Sequence, residues 1–209
     1  MIDLENRLNK LKMHTSLQII LFVFGIFFDQ FSKLLITTVF PEPDPSENIV
    51  VIKGILEFTY IRNSGASFGI LQGKMIMFYI ITVFVLAVII IAMIKIYISL
   101  KNYYLFCGNN PEVYKKKTNN GMIFTGYVLA ALAAGAAGNF IDRVRLGYVV
   151  DFISLLILKT PSFSGGFHWE SFPIFNIADI LVTFSAVILF VYFIFFYKDD
   201  ENLHIFGKK

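Results

Sequence analysis

Charged side chains in this sequence survive at places where apolar residues would be cheaper. Asp29 and Lys33 sit four residues apart inside an apolar run, Asp142 and Arg143 close a run rich in alanine, and Asp179 opens the last one. Asp151 lies between these two runs, in Gly147-Tyr-Val-Val-Asp-Phe152. A charge at membrane depth costs about 2.5–3.5 kcal/mol on insertion scales, so each of these groups calls for a reason. Carboxylates in low dielectric hold protons more tightly than in water, which suits them to general acid–base work. Amides accompany them: Asn63 in Arg62-Asn-Ser-Gly-Ala-Ser-Phe-Gly69, Asn139 in Gly138-Asn-Phe-Ile-Asp-Arg143, and Asn176 in Phe172-Pro-Ile-Phe-Asn-Ile-Ala-Asp179.

Other chemistries are poorly served. One cysteine, Cys107, allows no intrachain disulfide and no cysteine-based zinc site. His14, His168 and His204 are far apart, no HExxH occurs, and no metal or cofactor is expected. A formal charge of +3 gives no argument for nucleic acid as a partner.

The elements that must position these groups are membrane helices. The chain has 209 residues, 56% hydrophobic and 16% charged, with 24 phenylalanines. A soluble domain carries about 25% charged residues. Mean hydropathy is +0.68. Four segments reach the ~20 apolar residues a span requires: roughly 16–39, 75–99, 121–141 and 174–197. The first is not followed by a small-x-small cleavage site, so it reads as a retained span and not as a signal peptide. The reading is a single integral membrane domain over 1–209, with loops at 40–74 and 142–173 on one side and 100–120 on the other.

Lysine and arginine set the orientation. Arg7, Lys10, Lys12, Lys101, Lys115–Lys117, Lys198, Lys208 and Lys209 outnumber Lys53, Arg62, Lys74, Arg143, Arg145 and Lys159. Both termini are therefore expected in the cytoplasm; the polar patches share one side whichever orientation holds, and the lysine and arginine distribution makes it the outer side. Asp29 lies about 18 Å along its helix from residue 17, at ~1.5 Å per residue, in the outer half of the bilayer. Residues 49–61 and 146–153 read as short strands that could pair, with Gly147 as a turn, and 158–172 as a loop with a Gly-Gly flex point. The small faces of span three (Ala130, Ala134, Ala137 and Ala131, Gly135, Gly138) read as close helix packing. Trp169 reads as part of an interfacial aromatic belt.

Asp29-Gln-Phe-Ser-Lys33, the 62–69 motif, Gly138-Asn-Phe-Ile-Asp-Arg-x-x-x-Gly-x-Val-x-Asp-Phe152 and the 172–179 motif together resemble bacterial lipoprotein signal peptidase, an intramembrane aspartyl peptidase family. The resemblance spans about residues 20–185. It implies an all-α, four-helix membrane bundle with a small β-sheet cradle on the extracytoplasmic face, in the bacterial cytoplasmic (inner) membrane. It implies removal of signal peptides from prolipoproteins by cleavage before a diacylglyceryl-modified cysteine, with Asp151 and Asp179 as the catalytic pair. Asp29, Lys33, Asn63, Gly65, Asn139, Asp142, Arg143 and Asn176 match the motif positions that support the site or bind substrate. Expected partners are lipid-modified prolipoproteins and membrane lipids, and the chain is expected to act as a monomer.

Two close carboxylates cannot both ionise easily, so such a pair shares one proton and activates water. Asp179, three residues after Asn176 at a helix start, is the expected charged partner. A small proton-coupled transporter or channel is the alternative that intramembrane charges also suit, but no repeat or broken-helix pair appears. A presenilin-type protease is disfavoured by the absence of Gly-x-Gly-Asp.

Overall fold

The computed structural model describes residues 2–65, 75–109, 116–161, 167–171 and 173–196. Helices α1 (Ile2–Val39), α2 (Met75–Asn109), α3 (Lys116–Leu146) and α4 (Ile177–Val191) alternate with strands β1 (Ile49–Ile52), β2 (Leu56–Asn63), β3 (Val149–Pro161) and β4 (Phe167–Ser171). A π-helical turn, Tyr192–Phe196, extends α4. All four helices are long and apolar enough to cross a membrane. The strands form one antiparallel sheet in the order β1-β2-β3-β4.

Several boundaries differ from the sequence expectation. α1 begins at residue 2 and not near 16 because Leu4, Leu8 and Leu11 recur at helical spacing and bury against other apolar side chains. The expected 100–120 loop is largely helix. Leu100, Tyr103, Tyr104 and Cys107 form a buried stripe that carries α2 to Asn109, and only 110–115 lie outside the described residues. α3 runs past residue 141 to Leu146, so Asp142, Arg143 and Arg145 are helical and not in a loop. It stops at Gly147, whose φ of 81° only glycine adopts freely, and the Gly147 N–H closes the end on the Arg143 carbonyl at 3.1 Å. The expected 158–172 loop is instead mostly a hairpin, β3 continuing to Pro161 and β4 pairing back on it. The apolar run Ile153–Leu158 favours strand over loop. The Gly-Gly pair (165–166) and the Trp169 side chain lie outside the described residues.

The chain divides into two compact units, each drawing on all four helices. One comprises Met1–Gly25, Val83–Ala134 and Leu181–Lys209. Its core gathers Leu11, Ile89, Ile96, Leu100, Tyr103, Tyr104, Cys107, Met122, Leu129 and Ala133.

The other comprises Ile26–Thr82 and Gly135–Ile180, and holds the sheet and every acidic residue of the motifs. Its apolar core joins Ile36 of α1 and Phe40, just past its end, to Tyr60, Val150, Phe152 and Ile153 of the sheet. Beside it lies a buried ionic cluster. The Lys33 Nζ donates to Asp29 Oδ2 at 2.8 Å, contacts Asp142 Oδ2 at 2.9 Å and donates to Asn139 Oδ1 at 3.0 Å. An ammonium has three hydrogens, and these oxygens take all of them.

Both carboxylates reach onward to backbone. Asp29 Oδ1 accepts the Ala178 N–H at 2.9 Å in the first turn of α4, satisfying one of that helix's open donors. Asp142 Oδ2 accepts the Val150 N–H at 3.1 Å at the start of β3. Gly138 permits this closeness, since a Cβ there would lie 2.5 Å from Asp29 Oδ2. The small faces of α3 thus serve close packing, as expected, with Ala134 fully buried.

Asp29, Lys33 and Asp142 are each 3% exposed or less. Removing one partner of such a cluster leaves an uncompensated buried charge, which costs about 3–5 kcal/mol. Lys33→Met should therefore lower the thermal unfolding midpoint in detergent sharply, and Lys33→Met with Asp29→Asn should recover part of the loss. Equal midpoints for wild type and Lys33→Met would contradict this account.

Candidate active site

β3 presents Asp151 and the first turn of α4 presents Asp179. Their relative placement is fixed by backbone. The Phe152 and Ile153 N–H groups donate to the Phe175 carbonyl at 3.0 and 2.8 Å, and the Phe175 N–H donates to the Ile153 carbonyl at 3.1 Å. The chain entering α4 is thereby laced to the strand that carries Asp151. Asp151 is 1% exposed and Asp179 is half-buried.

Asn176, fully buried, stands between them. It is the N-cap of α4. Its Oδ1 accepts the Asp179 N–H at 3.0 Å, while Asp179 Oδ2 accepts the Asn176 N–H at 3.1 Å. This reciprocal pair is a capping box with asparagine and aspartate in the two roles. The Asn176 Nδ2 meanwhile donates to Asp151 Oδ1 at 2.6 Å. One residue therefore binds both carboxylates.

The remaining oxygens are also held by amides. Asn63 Nδ2 donates to Asp151 Oδ2 at 2.8 Å, and Gly65 N–H donates to Asn63 Oδ1 at 3.0 Å, an Asx turn that aims the Asn63 amino group at the acid. Asn139 Nδ2 donates to Asp179 Oδ1 at 2.8 Å, and its Oδ1 accepts from Lys33 and from Asn176 Nδ2, each at 3.0 Å. Among the described residues, the hydrogen-bond donors to Asp151 and Asp179 are all neutral N–H groups. The cation Lys33 is bound to Asp29 and Asp142 instead. Burial, and second the negative charge of Asp179, push the Asp151 carboxyl up to about 7, against the lowering from Asn63, Asn176 and Lys33.

Arg143 is held over the Phe78 ring, with its Cζ 4.6 Å from the centroid, and donates to the Asn139 carbonyl at 3.4 Å. The Tyr79 hydroxyl donates to the Arg143 carbonyl at 2.9 Å. All ten residues singled out from the sequence thus fall in one unit, joined through Asn139, Asn176 and Lys33. Asn63 is more than a turn residue, because its amide reaches Asp151. The rest of its motif, 66–69, lies outside the described residues. Cys107 packs in the other unit.

One participant was missed. Gln30 Nε2 donates to Asp142 Oδ1 at 2.8 Å, to Asp29 Oδ2 at 3.2 Å and to the Gly138 carbonyl at 3.2 Å, while its Oε1 accepts from Arg145 at 3.3 Å. It was visible inside Asp29-Gln-Phe-Ser-Lys33, and a neutral residue beside a charged pair drew no weight. No trio of His, Cys, Asp or Glu placed to hold a metal occurs among the described residues.

Residues 21–195 match the family model described as signal peptidase (SPase) II. A lipoprotein signal peptidase of Lactobacillus johnsonii is 36% identical over 189 residues, covering 90% of this chain and 99% of its own. That of Clostridium tetani is 34% identical over 197 residues, covering 91% and 100%. A solved bacterial membrane enzyme superposes with a TM-score of 0.62 and 32% identity, covering 89% of this chain and 94% of its own. This multi-pass membrane protein belongs to the signal peptidase II family.

Proposed function

We propose that the chain is an aspartyl endopeptidase that removes signal peptides from diacylglyceryl-modified prolipoproteins, cutting before the lipidated cysteine. The observation that carries the mechanism is Asn176 bound to both Asp151 and Asp179. In this reading the two carboxylates, joined through one small residue, share a proton and a water molecule.

The proton rests on Asp151, whose carboxyl is pushed up to about 7 by burial and by the Asp179 charge. Asp179, whose Oδ2 accepts the Asn176 N–H at the start of α4, serves in this reading as the charged partner. Ionised Asp179 takes a proton from the attacking water as protonated Asp151 hydrogen-bonds to the scissile carbonyl. The amine leaves with a proton from the pair, which returns the pair to its resting state. The neutral amides orient both carboxyls, and the nearby Arg143 charge favours the ionised member of the pair.

In this reading the termini face the cytoplasm, the site faces the outer leaflet of the bacterial inner membrane, and one chain suffices for activity. Lysine and arginine distribution supports the orientation. Reporter fusions at either terminus would test it, and activity at the outer face would refute it.

Asp151→Asn and Asp179→Asn should each reduce cleavage of a lipid-modified precursor by about 100-fold or more, with thermal unfolding in detergent showing a folded protein. Full activity in either variant sinks the mechanism. The unlipidated precursor should be a much poorer substrate than the lipidated one.

The pH profile has a definite sign. Asp151 must hold its proton, so kcat/KM should fall as pH rises through about 7, by about tenfold per unit, with the apparent value belonging to the pair. Replacing Asp179 by asparagine removes one of the two raising causes, so the Asp151 carboxyl band in infrared titration should move to lower pH while staying above the ordinary range for aspartate. A rate independent of pH between 6 and 9 would argue against a shared proton.

A further inference from the structure

The unit that lacks the dyad encloses a cavity of about 230 Å³ between α1, α2 and α3. We propose that this cavity is a binding site for an anionic phospholipid, one acyl chain inside it and the phosphate outside it at Lys12 and Lys101.

The walls select hydrocarbon. Leu11, Met93, Ile94, Ile96, Leu100 and Ile123 supply over half of the lining residues. Four polar side chains reach it, those of His14, Thr15, Gln18 and Tyr97. His14 Nδ1 bonds the Tyr127 hydroxyl at 2.9 Å and Thr15 donates to the Leu11 carbonyl at 2.9 Å. Gln18, packed on Gly126, makes one long bond to the Ile123 carbonyl at 3.4 Å. A trapped water needs two to four polar partners, and a space of this size has room for roughly eight water-sized groups at ~30 Å³ each. The wall cannot satisfy that many waters, whereas a chain of methylenes asks nothing of it.

The opening and the charges complete the fit. Ile94, 52% exposed, forms part of the lining and belongs to a lipid-facing row with Ile90, Ile91 and Ile98. The cavity is thus continuous with the surface that meets acyl chains. Leu11 and Leu100, exposed by only 3% and 1%, are each followed in sequence by an exposed lysine, Lys12 and Lys101. Lysines flanking a span snorkel to the phosphate level. A lipid whose tail enters past Ile94 meets positive charge at its head.

The test uses the full chain in phosphatidylcholine nanodiscs containing graded phosphatidylglycerol, with retained lipid counted by native mass spectrometry after release. The wild type should keep one phosphatidylglycerol against at least a tenfold excess of phosphatidylcholine. Lys12→Gln with Lys101→Gln should remove the preference between the two lipids. Met93→Trp, which fills the cavity, should abolish retention of either. Should that variant unfold, Ile94→Trp at the exposed mouth should give the same loss without crowding the core. No retained lipid, equal retention of the two lipids by the wild type, or retention undiminished by the folded tryptophan variant would each overturn the proposal. None of these readouts depends on peptidase activity.

Discussion

The ammonium of Lys33 is the point from which the site is built. Its three hydrogens reach one carboxylate on its own helix and a carboxylate and an amide on α3. Those partners then touch the first turn of α4 and the first residues of β3. Buried ion clusters of this kind contribute little net stability relative to an apolar core, because desolvation offsets the Coulomb attraction. What this one contributes is location. It engages all three ammonium hydrogens and all four carboxylate oxygens, and that arrangement sets where a strand and a helix begin.

A division of labour follows between the acids. Asp29 and Asp142 take the lysine and the Gln30 amide, and act on backbone. Asp151 and Asp179 receive neutral amide donors. Had Lys33 been bound to the dyad, its charge would hold both members ionised, and no shared proton would remain near neutrality. The residue types in the motifs make sense in these terms: asparagine orients a carboxyl and lowers its proton affinity less than a bound cation would, and lysine serves where titration is unwanted.

Much of this was legible beforehand because the relevant information is local. Asp29 and Lys33 stand four apart on a helix, which makes their pairing a matter of geometry. Asn176 and Asp179 stand three apart, the spacing of a reciprocal cap. The strands at 49–61 and 146–153 announced themselves by β-branched residues. What escaped was settled by packing at a distance. The extension of α2 to Asn109 depends on whether Tyr103, Tyr104 and Cys107 find a buried surface, and polar neighbours in the sequence disguised that stripe. The hairpin of β3 and β4 depends on β3 outlasting its partner β2. Gln30 gains its part only once Asp142, more than a hundred residues away, arrives beside it.

Asn176 and Asp179 lock the start of α4 by gripping one another, and Asn176 also holds Asp151 on β3. Under the proposed mechanism Asp179 gives up its charge when it takes a proton from water and recovers it as the amine departs. Its grip on the Asn176 N–H would then be weakest at the tetrahedral intermediate and whole again before the severed product diffuses away.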